Sequence, residues 1–169
     1  MTSSIGLSYN TLPVPLAIKP GHKVLSIGYG VGSMRQELTE RVGLAGLLVI
    51  ADISHNMSAQ EMHATLDSIS TSLDRIHCRL VLSQMPPKKA RKLVMKMLNK
   101  LDTGGRLVLE EVTTHLSYEQ PKKASLTTIK NFLESMRYKV TYWPPLPFFY
   151  TPESLPHPNI AQISLTKYY

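Results

Sequence analysis

Apolar residues along the chain fall into two kinds of pattern, and the two alternate. Short continuous runs bounded by glycines or turn residues read as buried strands: 22–27 (HKVLSI), 47–53 (LLVIADI) and 106–112 (RLVLEEV). Residues 75–83 (RIHCRLVLS) read as a strand or strand end, 139–143 (KVTYW) as a strand and 160–169 (IAQISLTKYY) as the closing strand. Between these runs the spacing becomes helical. Met34, Leu38 and Val42 follow Ser33 at four-residue intervals, Ser33-x-x-Gln36 fits a capping box, and Gly43 is the stop. Pro86-Pro87 opens the clearest helix, with Ala90, Leu93, Val94, Met97, Leu98 and Leu101 on one face and Gly104-Gly105 as its expected end. Leu126, Ile129, Phe132, Leu133 and Met136 mark another. Residues 58–73 are ambiguous between a short helix over 58–66 and a turn-like run.

Strands that alternate with helices need crossovers, and crossovers make parallel sheets. The expected fold class is α/β: a Rossmann-like three-layer sandwich with a mostly parallel sheet. No helix separates the last two strands, so an antiparallel edge strand is expected. Pro13, Pro15 and Pro20-Gly21 set off residues 1–21 as an irregular arm, leaving 22–169 as one domain. A chain of 169 residues suits that organisation.

Composition removes several function classes. No apolar run approaches the ~20 residues of a membrane span. Cys78 is the single cysteine, which leaves no internal disulfide and no cysteine-rich zinc site. It lies in an apolar run and reads as a buried structural thiol. The six histidines show no HxxxH spacing, so no metal is expected. Residues 1–15 lack a secretory pattern, and a cytoplasmic location is the expectation.

Nineteen Lys and Arg stand against twelve Asp and Glu, a net charge of +7. Lys88, Lys89, Arg91, Lys92, Lys96 and Lys100 concentrate that charge on the outer face of one helix. Such a face is either solvated or an electrostatic footprint for RNA or an acidic protein. No aromatic residue interrupts that helix, which argues against dedicated single-strand recognition by the helix itself. Residues 142–150 (YWPPLPFFY) could line an acceptor pocket, form a lid, or pair subunits in a homo-oligomer.

The sharpest local signal is Gly28-Tyr29-Gly30-Val31-Gly32, between a strand and a helix. Glycines allow a tight turn and close approach to the backbone, and the helix start beyond offers unpaired N–H groups. Asp52 ends the next strand, twenty residues past Gly32, where a carboxylate can accept ribose hydroxyls. A dinucleotide fingerprint wants Gly or Ala at position 33, which is Ser33. The G-x-G-x-G spacing suits S-adenosylmethionine better than NAD. A nucleotide-dependent oxidoreductase is therefore the weaker ligand reading, and a turn without ligand is the bland one.

Residues 22–57 resemble the opening of a class I S-adenosylmethionine-dependent methyltransferase, and ADISHNM is similar to the VDIS-x-x-M of ubiquinone- and menaquinone-type enzymes. A second block, 73–112, resembles the same family's FD-x-V/I-H-x-R-x-V-L-x-H-L-P, helix, L-x-P-G-G-x-L-x-x-E-E. FLESMRYKVTYW (132–143) is similar to its later helix-to-strand element. The resemblance implies methyl transfer from S-adenosylmethionine, with a small molecule as the leading acceptor. It implies cofactor contacts at Gly28, Tyr29, Gly30, Gly32, Asp52 and Ile53. Candidates for a base are His115, Glu111 and His55, with His77 beside them.

The chain also departs from that family. Ser26 stands where an acidic residue is usual, Gln84 replaces a histidine, and Thr103-Gly104-Gly105 replaces Pro-Gly-Gly. Only about 16 residues separate Met57 from Leu73-Asp74, so one strand or helix of the usual core is shortened or missing. Asp67 is a candidate for the acidic residue near the adenine. These departures keep a second function in view: a catalytically inactive methyltransferase-like domain serving as a binding or assembly module.

Overall fold

The structure, a computed structural model, describes residues 12–53, 59–112, 123–143 and 160–169. Its elements are β1 (Lys23–Gly28), α1 (Arg35–Val42), β2 (Leu47–Asp52), α2 (Ala59–Ser68), β3 (Leu73–Arg79), α3 (Pro87–Lys100), β4 (Leu101–Val112), α4 (Leu126–Ser135), β5 (Val140–Trp143) and β6 (Ile160–Thr166). The strands form one sheet in the order β2-β1-β3-β4-β6-β5. β2, β1, β3 and β4 are parallel. β6 runs antiparallel to both β4 and β5, so the reversed strand lies in the edge region and β5 is the outermost strand there.

Strand β1 is buried on both faces, which is why its sequence reads as a continuous apolar run and not as an alternation. Its period of two still divides the core. Val24 joins Val31, Met34, Leu38 and Val42 under α1. Leu25 and Ile27 join Met62 and Leu66 of α2, Leu93 and Met97 of α3, and Ile129 and Leu133 of α4 on the other face. The three-layer arrangement follows: α1 on one side, α2, α3 and α4 on the other.

The ambiguous stretch resolves into α2 followed by a short turn into β3. Among the described residues the missing core element is a strand. The chain passes from β2 through α2 directly to β3, and β2 is left as the sheet's edge.

The expected end of the long helix needs correction. Gly104-Gly105 does not end the long helix, because α3 stops at Lys100 and Leu101 already pairs with Leu73. The next pair is Arg75 with Arg106, so residues 102–105 bulge out opposite Asp74 alone. Gly104 takes φ +80° there, and its N–H donates to the Lys167 carbonyl at 2.6 Å. The bulge is held by the closing strand, and glycine supplies the left-handed turn it needs. The described part of the arm packs on the domain. Residues 12–21 form no long element, yet they are held on the sheet: Arg106 donates to the Pro15 carbonyl at 2.7 Å, and Leu16 is buried.

Candidate active site

Gly28 and Asp52 are register partners at the carboxyl ends of β1 and β2. On the far side of β1, Tyr29 donates its N–H to the Arg79 carbonyl of β3 at 3.0 Å. A side chain at Gly28 would collide with that carbonyl. The chain then turns through Gly30, at φ +70°, into a 3-10 turn over Val31–Met34 and on into α1.

The start of that turn is capped by Asp52. Gly32 N–H donates to Asp52 Oδ2 at 2.8 Å, and Gly30 N–H donates to Oδ1 at 3.3 Å. A Cβ at Gly32 would strike Oδ2, so this glycine is what lets the carboxylate in. The capping box expected at Ser33 is not formed. Ser33 Oγ donates to the Gly30 carbonyl at 2.6 Å, and Gln36 donates along the helix to Glu40. A residue from the next strand has taken over the cap, which no local pattern announces.

The three glycines therefore differ in role. Gly28 and Gly32 make room for protein atoms. Gly30 faces open space, with nothing within 4 Å of a Cβ built there. Tyr29 beside it is exposed. Ile53 buries its side chain in the larger core cluster and donates its N–H to the Gly28 carbonyl at 3.0 Å, so only its backbone lies at this edge.

The remaining candidates separate. His77 is fully buried in the sheet, with Nδ1 3.0 Å from Ser26 Oγ and Nε2 2.7 Å from Glu110 Oε2. Gln162 donates to the other Glu110 oxygen at 2.7 Å. Burial pushes the Glu110 carboxyl up, but the bonds from His77 and Gln162 and the charges of His77 and Arg79 outweigh it, so its pKa lies below the usual range. This ladder across β1, β3, β4 and β6 was missed from sequence. Its signal was there: Ser26, His77 and Glu110 all fall on the same face at period two.

Glu111 points to the opposite face and accepts N–H bonds from Val81 and Leu82 at 2.9 and 2.6 Å, which fastens the chain leaving β3. Burial raises its pKa, partly offset by bonds from Ser83, Leu82 and Val81. Cys78 is buried, and burial and the neighbouring Glu111 and Glu110 push its thiol pKa well up, so it is an inert core residue. Asp67 sits in the last turn of α2, toward the amino edge of the sheet, and pairs with Lys96 at 2.6 Å. That position is remote from the glycine loop. His55, His115 and residues 144–150 lie outside the described residues. Among the described residues, no helix is long and apolar enough to cross a membrane.

No family model matches the chain, and no curated protein matches it. Solved structures do. A candidate rRNA-methylase from Clostridium thermocellum superposes with a TM-score of 0.60 at 15% identity, covering 100% of this chain and 98% of that one. Magnesium protoporphyrin IX methyltransferase from Synechocystis PCC 6803, with bound S-adenosylmethionine, gives 0.55 at 19%, covering 88% and 71%. A SAM-dependent O-methyltransferase from Thermotoga maritima gives 0.59 at 17%, covering 90% and 61%. At these identities the likeness is one of fold: the chain has the Rossmann-like fold of S-adenosylmethionine-dependent methyltransferases.

Proposed function

We propose that the chain is an S-adenosylmethionine-dependent methyltransferase that binds its cofactor at the carboxyl ends of β1 and β2. The carrying observation is the pairing of an open glycine turn with a carboxylate in register beside it. Gly30 leaves its backbone approachable, and Asp52 stands at the strand end with both oxygens in the turn. A carboxylate at the end of the second strand is the group that takes ribose hydroxyls in this geometry, and Asp52 stands there. Bound there, S-adenosylmethionine would supply an electrophilic methyl group on a sulfonium.

Displacement of that methyl group needs alignment of donor and acceptor, and only sometimes a base. His77 is sealed between Ser26 and Glu110, and Glu111 is engaged by Val81 and Leu82. Neither is assigned the role. The part proposed for the chain's own residues is to orient the cofactor at Gly30 and Asp52.

The acceptor expected from the sequence is a small molecule. A nucleic-acid acceptor is the second reading. A specific observation favours it: an open groove along α3 that Lys88, Arg91, Lys92 and Lys96 border. The likeness over nearly the whole length of a candidate rRNA-methylase lends it support.

Calorimetric titration with S-adenosylmethionine, S-adenosylhomocysteine and NAD tests the proposal. Micromolar binding of the first two, absent for NAD and abolished in a folded Gly30→Val variant, is the expected result. No binding of S-adenosylmethionine or S-adenosylhomocysteine would overturn the proposal.

A further inference from the structure

Helix α3 carries six cations and no acidic residue. Among the described residues only Lys96 has a carboxylate partner, Asp67. Lys88, Lys92, Lys96 and Lys100 are spaced four residues apart, about 6 Å along the axis, and so form a row up one side. Like charges at this spacing repel and destabilise a helix. The fold uses Lys96 and Lys100, which donate to the His63 and Ile69 carbonyls, but among the described residues Lys88 and Lys92 make no such bond.

The structure adds what the helix alone lacked. α4 brings Phe132 beside the row, and an open, largely apolar groove of about 790 Å³ runs along α3 from Pro87 to Asn99, with Phe132 at its α4 side and Lys88, Arg91, Lys92 and Lys96 along it. The Arg91 guanidinium lies over the Phe132 ring, 5.2 Å from its centroid. An arginine held on an aromatic ring offers a stacking surface for an unpaired base and a counter-charge for phosphate. An acidic protein would match the charge but would leave this stack without a counterpart. Duplexes hide the faces of their bases.

We infer that this groove holds a single strand of RNA, with phosphates on Lys88, Arg91 and Lys92 and a base at the Arg91–Phe132 stack. β3 delivers the chain to α3 at the carboxyl edge of the sheet, the edge that carries the glycine turn. A strand lying in the groove is thereby led toward the proposed methyl-transfer site. The inference rests on the methyltransferase reading only for the RNA being the acceptor, not for its binding.

The test is fluorescence anisotropy of a labelled oligouridine titrated with the whole chain, without cofactor. With Lys88, Arg91 and Lys92 on phosphates, log affinity should fall with log salt at a slope near −2, roughly −0.7 per contact. Lys88→Ala with Lys92→Ala should flatten the slope to about −0.7 and lower affinity at least tenfold at low salt. Phe132→Leu keeps an apolar side chain against the core but removes the ring. It should weaken binding roughly fivefold or more with the slope unchanged.

Absence of binding at low salt would overturn the inference. So would equal binding of duplex RNA with no effect of Phe132→Leu, or displacement of the RNA by polyglutamate at matched charge. S-adenosylmethionine calorimetry on the wild type and the double-alanine variant keeps the two readings apart. Loss of cofactor binding in the wild type would sink the methyltransferase reading and leave the anisotropy result standing.

Discussion

The Asp52 carboxylate accepts the N–H groups of Gly30 and Gly32, so a substitution there acts on the loop and on a ligand together. Removing a cap of this kind costs about 1 kcal/mol. Asp52→Ala is expected to fold, to lose about that much stability in chemical denaturation, and to lose cofactor affinity at least tenfold in calorimetry. Unchanged affinity in the folded variant would remove Asp52 from the site. Glu110 and Glu111 are adjacent in sequence but face opposite layers, and their pKa values move in opposite directions. Glu110 lies below the ordinary carboxyl value of about 4.3, so its contribution is present above that value and is lost as pH falls through its folded pKa. Glu111 lies above it, so its contribution is present below about 4.3 and is lost as pH rises through its folded pKa. Denaturation midpoints measured between acid and neutral pH should show Glu110→Gln losing most at neutral pH. Glu111→Gln should instead gain on the wild type as pH rises. Parallel curves would refute the assignment.

At the scale of elements, legibility follows from how local the determining contacts are. α3 is plain in sequence because Ala90, Leu93, Val94, Met97 and Leu98 are buried at helical spacing within the element itself. α2 is ambiguous because it buries little beyond Met62 and Leu66. The turn leading into α1 and the Gly104-Gly105 bulge are not legible in the sequence because each is fixed by a distant residue, Asp52 in one case and Lys167 in the other. The strand–turn–helix that carries the candidate site is legible because its glycines announce it. The division of labour among those glycines is not, since it depends on Arg79 and Asp52 from neighbouring strands. α3 also yields a prediction of its own. Lys88 sits in the first turn, where a positive charge opposes the helix dipole and an acidic residue would be favoured. Lys88→Glu should raise stability by about 0.3–1 kcal/mol in denaturant titration while it weakens oligouridine binding. A variant that loses both would show that Lys88 supports the fold.

Whole-molecule organisation exposes a consequence of the missing strand that neither residues nor elements carry alone. The short interval between Met57 and Leu73 announced a deficit, but not its kind, because strand order is set by pairing across the sheet. Among the described residues β2 is outermost, and its run Leu47-Leu48-Val49-Ile50-Ala51 carries no lysine, proline or bulge, the usual protections of an edge. The other edge, β5, is only four residues long. Leu44 and Leu47 are exposed where the chain enters β2, which adds apolar surface to the open edge. Self-association through β2 should appear as a weight-average mass that rises with concentration in sedimentation velocity, and Leu47→Lys should suppress it. Two copies at +7 repel, so added salt should strengthen this association. Salt should weaken RNA binding at α3 over the same range. The opposite signs separate the two surfaces in one salt series. A mass that stays monomeric at every concentration and salt would show that the β2 edge is covered within the chain.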